Sequence, residues 1–389
     1  MLERLVVRSA VAYLFLYWFP TPLDNLPVIG EPIANATTAV WRPVIELTGK
    51  LLSVEVPPAR ITGSGDTTAD FLRLGATVVL ALVIGASWSL DKRKTRDEAV
   101  LDFSRDYLRL CLAATMIGYG VVKVLLHQFP LLDDYTLHET YADSSPMGLL
   151  WRFMGFSPTY QRLAGFLELG GGLLLLTRRT TTAGAVILAI VMSNVVLLNF
   201  CFDVPVKLYS TNILFGAIVL LLSDADRLLS VFVTHRPLPL RDFTPKYATG
   251  RWRLVMPVVS IGFAVVLLGS ALQEEDRHEP QANQDALEGS YAVIRQTGGV
   301  SWHAVQLGHD MIALKRGAEA WQYKAISIDG HTVKIENETL TWSERDGFKV
   351  LTGTWDNEPI EVTLSKLEPA KQPLVSRGFH WVNEFPFNR

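Results

Sequence analysis

Long apolar runs broken by short polar or basic stretches fill the first two thirds of the chain. The runs Leu5–Phe19, Phe71–Leu90, Tyr107–Leu126, Leu163–Leu176, Ala183–Phe202, Val204–Leu222 and Leu254–Leu272 predict about seven transmembrane helices, since about 20 apolar residues cross the hydrocarbon layer. Tyr17-Trp-Phe-Pro20 suits an aromatic interface anchor better than a cleavage site, so the first helix is expected to remain uncleaved. Residues 20–70, rich in Pro, Gly and Thr, predict an outer loop, with Gly63-Ser-Gly65 a plain turn. Asp203-Val-Pro205 predicts a tight turn or a break in a bent element. Between the third and fourth runs, Trp151, Phe153 and Met154 fall close together, as in an amphipathic segment lying in the membrane interface.

Beyond Gln273 the pattern shortens to the two-residue period of strands. Asp329-Gly330 between two such runs is a strong hairpin signal, and about eight short strands between Tyr291 and Leu364 predict a small antiparallel β barrel or sandwich. The closing stretch, with Arg377, His380 and Trp381, is rich in aromatics and charge and is expected to dock. The expected organisation is two helices and their loop over 1–104, a four-helix core over 105–222, a connection and last helix over 223–272, and a β domain over 273–389.

Composition agrees with a polytopic membrane protein: 49% of residues are hydrophobic and 19% charged, with a net charge of -3. The basic residues form no long face of the kind nucleic acid needs. Cys111 and Cys201 have neither a CxxC nor a His-rich neighbour, so both read as small buried hydrophobes. The histidines match no metal spacing, and no nucleotide or hydrolase motif occurs. Basic groups at Arg4/Arg8, 92–96, 178/179 and 235–253 all fall on one side of the predicted topology. This expects a bacterial inner membrane protein with its amino terminus inside and its β domain outside.

Charged residues within apolar runs are candidate sites, because hydrocarbon makes them costly. Helix direction brings Lys123, Glu168, Asn194, Asn199, Asp203 and Lys207 to one depth in the outer third of the membrane, with Tyr119 nearby. Arg109, near an inner end, joins the candidates but could equally snorkel to the headgroups, as Arg8 is expected to. The plainer reading of the same charges is ion pairs and asparagine bonds that fix helix register. Gly170-Gly-Gly172 reads as a close helix contact.

Tyr107-Leu-Arg-Leu with Tyr119-Gly-Val-Val-Lys123, Ser145-Pro-Met-Gly, Glu168 with its glycines and Asn199 to Lys207 resemble the DoxX-like bacterial integral membrane proteins. Thr62 to Thr68 and Arg377 to Arg389 are similar to the longer members. The resemblance implies a four-helix membrane unit linked to quinone-reducing sulfur oxidation, a terminal oxidase or oxidative-stress complexes. The added helices and β domain set this chain apart from the founding members. One reading follows from the residues and the resemblance together: a polar pocket for a quinone or other polar-headed lipid, served by a redox protein partner. Two others stand beside it, an anchored scaffold whose β domain uses Trp321, Trp342, Trp355 and Trp381 to hold an envelope partner, and a transporter. No motif names a cofactor; a quinone is the one this chemistry suits.

Overall fold

The computed structural model describes residues 2–26, 28–58, 63–91, 95–132, 134–137, 141, 144–239, 242–248, 250, 289–299, 301–308, 311–316, 322–336 and 338–367, with scattered positions between 258 and 287. The expected last helix lies largely, and Trp321, Arg377, His380 and Trp381 wholly, outside the described residues. Two compact units result: Met1–Pro130 with Pro146–His278, and Leu131–Ser145 with Glu279–Arg389.

The first unit is helical: α1 (Leu2–Trp18), α2 (Gly30–Leu52), α3 (Thr68–Ser89), α4 (Thr95–Val124), α6 (Pro146–Phe156), α7 (Pro158–Leu175), α8 (Thr181–Cys201), α9 (Lys207–Leu222) and α10 (Ala225–Leu229), while α5 (Asp134–Leu137) belongs to the second. Among the described residues, Thr68–Ser89, Asp97–Val124 and Thr181–Cys201 are long and apolar enough to cross a membrane. α9 is apolar but shorter. Leu72, Ala76 and Ala81 of α3 are buried while Val78, Val79, Leu82 and Val83 are exposed, the division expected of a helix with one face to lipid.

Residues 20–70 are not a continuous loop. Gly30–Leu52 is a helix that buries Thr37, Trp41 and Gly49 and exposes Val40, Leu47 and Leu51. Its Pro, Gly and Thr content hid an apolar stripe. The Gly63–Thr68 stretch also does more than turn. Thr67 and Asp70 form a reciprocal capping box on α3. Asp66 reaches across to accept the Lys207 and Leu208 N–H groups of α9 at 2.7 and 2.9 Å. A carboxylate at a helix start satisfies donors that have no partner in the helix and complements its dipole. One short stretch therefore starts α3 and fastens α9 to it.

Arg8 does not snorkel. It is buried where Ser9 presses on Gly85 of α3, and its guanidinium donates to the carbonyls of Trp88 and Asp91 and to both carboxylate oxygens of Asp97. Cys111 is buried as expected, whereas Cys201 is exposed.

The second unit carries β1 (Gly289–Thr297), β2 (Ala304–Leu307), β3 (Met311–Lys315), β4 (Gln322–Asp329), β5 (Thr332–Ile335), β6 (Glu338–Arg345), β7 (Phe348–Trp355) and β8 (Glu358–Lys366). Each pairs antiparallel with the next, and β8 closes on β1 to make a barrel. The Asp329-Gly330 turn joins β4 to β5 with Asp329 opposite Thr332 and Gly330 at φ 58°. Inward positions fill the barrel with Leu307, Ile312, Leu314, Ile335, Leu340 and Val362 around Tyr291. Trp302 meets Trp355 edge to face at 4.9 Å. Trp355 is thus a core residue, and Trp342 donates its indole N–H to the Gly330 carbonyl.

Two predictions follow from packing. Trp355→Ala should cost about 3–5 kcal/mol and unfold the barrel first, seen as early proteolysis of the C-terminal unit in the intact protein. A Cβ on Gly120 would lie 2.5 Å from the Leu169 nitrogen and 2.8 Å from the Gly165 carbonyl, both backbone, whereas one on Gly118 meets nothing within 4 Å. Gly120→Ala should therefore lose about 1–3 kcal/mol in thermal unfolding in detergent while Gly118→Ala loses nothing.

Candidate functional site

α4 and α7 run antiparallel, and glycines let them touch. Gly120 rests on Gly165 and Leu169, and Gly172 on Ile117, without intervening side chains. Gly171 and Gly184 do the same between α7 and α8, while Gly170 faces open space. This close approach sets Lys123 opposite Glu168, with the ammonium 2.7 and 2.5 Å from the two carboxylate oxygens. Both side chains are buried, at 7% and 2% exposure. Lys123 Nζ also lies 5.6 Å from the centre of the Tyr119 ring.

Beside the pair is a cavity of about 300 Å³. Tyr119, Lys123, Glu168, Asn194 and Asn199 line it, so five of the residues singled out in the sequence meet there. Asn199 donates to the Ser210 hydroxyl at 3.0 Å, tying α8 to α9. Asn194 makes no hydrogen bond to a described residue. Leu163, Leu167 and Ile190 line the cavity yet are exposed on the outer surface of α7 and α8, so it opens on the side of the helical unit between these two helices. Trp151 and Met154 of α6 turn to the cavity, while Phe153 is exposed. Trp151 packs on Phe129 at 5.0 Å, and the buried Gln161 amide bonds both the N–H and the carbonyl of Phe129, holding that wall in place.

Four polar lining residues carried no signal in the sequence: Gln128, Tyr160, Tyr209 and Ser210. Each looks ordinary at a helix end or an interface, and only the fold brings them to one cavity wall, Tyr160 staying exposed at its rim. The Tyr209 hydroxyl lies 3.0 Å from that of Thr115.

Three candidates stand outside this cavity. Lys207 pairs with Asp203 at 2.8 Å across the α8–α9 turn, where Asp203 is 82% exposed. Arg109 sits on α4 about 21 Å from Lys123, taking about 1.5 Å per residue. It does not snorkel: its guanidinium is buried and donates to the Leu175 carbonyl at 2.5 Å and to Asp106 at 3.3 Å. Arg178 bridges Asp102 and Asp106, and the Tyr247 hydroxyl donates to Asp106 at 2.6 Å. Burial first, and then the Asp106 carboxylate, push the Tyr247 phenol up. This second, fully paired cluster borders a polar cavity of about 510 Å³. Among the described residues, no group of three or more His, Cys, Asp and Glu is placed to hold a metal ion.

Removing one partner of a buried pair strands the other charge. Lys123→Met should cost about 3–5 kcal/mol in thermal unfolding, and Lys123→Met with Glu168→Leu should recover most of that loss.

The DoxX family model matches residues 106–199, the stretch that carries Lys123, Glu168, Asn194 and Asn199. The uncharacterized protein YwoB of Bacillus subtilis (strain 168) is 35% identical over 124 residues, which is 32% of this chain and 79% of YwoB. No solved structure matches. With a helical membrane unit built on that stretch and a closed β barrel after it, the chain belongs to the DoxX family of membrane proteins.

Proposed function

We propose that the cavity beside Lys123 and Glu168 binds the head group of a quinone or a lipid of like polarity, which enters from the bilayer. The observation that carries this is the sideways opening at Leu163, Leu167 and Ile190, with a buried ammonium and carboxylate at its inner end. An aqueous ligand would have to cross hydrocarbon to reach such a mouth; a lipid already lies there. The volume is at the small end of ligand pockets and suits a ring-sized head with its tail left outside.

Lys123 is the donor for a ring carbonyl, and the exposed Asn194 amide is a second polar contact nearer the mouth. Glu168 would exchange the proton that accompanies reduction. The chain supplies no redox centre of its own in this reading, so electrons come from a partner protein or a bound cofactor. The grouping of basic residues supports a bacterial inner membrane, with this cavity near the outer face and the barrel outside.

Native mass spectrometry with lipid extraction on detergent-purified protein tests the reading. Wild type should carry a quinone or one defined lipid, Lys123→Ala with Glu168→Ala should lose it, and Asn194→Leu should weaken it about tenfold, the equivalent of about 1.4 kcal/mol. Equal occupancy in all three, or none in any, would reduce the pair to a helix clamp.

A further inference from the structure

A third cavity, of about 310 Å³, lies at the Lys123 end of the helical unit, where α1 ends and α3 and α9 begin. Its wall is polar where the first is apolar: Tyr17, Thr21, Asp24, Asp70 and Arg73 face it. The Arg73 guanidinium lies over the Trp41 ring at 5.1 Å and makes no hydrogen bond to a described residue. A charged group so placed is normally hydrated, and a polar cavity of this size has ample room for water.

Tyr209 belongs to the walls of both cavities. Its ring stands between Trp18, at 6.2 Å, and Tyr119, at 6.5 Å. Its hydroxyl meets that of Thr115, and Thr115, Tyr119 and Lys123 follow one another at four-residue steps on one face of α4. The Tyr209 and Thr115 hydroxyls and the Tyr119 ring therefore lead from the polar cavity toward the buried ammonium, while the sideways mouth is mostly apolar, with Leu163, Leu167 and Ile190 beside the exposed Tyr160 and Asn194.

We infer that water and protons reach the Lys123–Glu168 pair from this third, polar cavity, past the Tyr209 and Thr115 hydroxyls. Lipid and water then approach the pair by separate doors. In exchange, each hydrogen that leaves Lys123 Nζ for a water molecule is replaced by one from water, so no net charge moves. The inference rests on the same pair as the proposed head-group site and deepens its proton-exchange step, but it holds whichever lipid is bound.

The test is the hydrogen exchange of the Lys123 ammonium with water, read by NMR on the full chain in lipid nanodiscs with ¹⁵N-lysine and without added quinone. Loss of the signal in Lys123→Met identifies it. Tyr209→Phe and Thr115→Val, which keep ring and branch but remove each hydroxyl, should each slow exchange about tenfold. Ser193→Ala, at an exposed position of α8 in the wall of neither cavity, should leave the rate unchanged. Exchange at the wild-type rate in both hydroxyl variants, or equal slowing in Ser193→Ala, would overturn the inference. Unaltered melting temperatures in these variants separate a blocked passage from a loosened fold, and because no quinone is present the result does not depend on head-group binding.

Discussion

A charge in hydrocarbon must find a partner, and the helical unit is arranged around meeting that demand for Lys123 and Glu168. An ammonium can reach a carboxylate on a neighbouring helix only if the two backbones come close. Gly120, Gly165 and Gly172 provide that approach, and their spacing selects one register for α4 against α7. Shifting either helix by one turn would leave both charges without a partner. The pair therefore contributes more to which packing forms than to how stable it is.

The same logic recurs at the other end of α4. Arg109 and Arg178 share Asp106, Arg178 also holds Asp102, Arg105 meets Asp224 at 2.7 Å, and Arg8 closes on Asp97. These contacts join α1, α4, α7 and the segment after α9. Asp66 performs the corresponding service at the Lys123 end by capping α9 from the start of α3. Helices that slide freely along apolar faces are thereby pinned at both ends, which leaves the middle free to be smooth and to face lipid.

Much of this was legible in the sequence because the signals are local. Apolar runs place α3, α4, α8 and α9 within a few residues, apart from the polar first turns of α4, and two-residue alternation with Asp329-Gly330 gives a small antiparallel β domain, barrel or sandwich, which the β1–β8 pairing closes as a barrel. Lys123, Glu168 and the two asparagines stood out because they interrupt such runs. What was hidden depends on contacts between distant segments. α2 carries Pro43 and many small residues, so its composition resembles a loop until Trp41 meets Arg73 of α3. Arg8 and Arg109 sit near the ends of their apolar runs, where snorkelling is the ordinary outcome, and only carboxylates and carbonyls brought up by the fold turn them inward. Tyr209 has nothing local to mark it, since its role comes from lying between two spaces that the fold creates.

The weak net contribution of a buried ion pair also bears on how such a pair could take part in chemistry. If Lys123 and Glu168 held each other at great net gain, nothing could be inserted between them. Desolvation has already offset most of their attraction, so a carbonyl that replaces one carboxylate oxygen on the ammonium trades one charge-assisted bond for another at small cost. What the exchange does require is a donor for the carboxylate oxygen released. Water beside Tyr119 and Tyr209 would meet that need, so on the proposed reading the polar face of α4 is what lets the pair open.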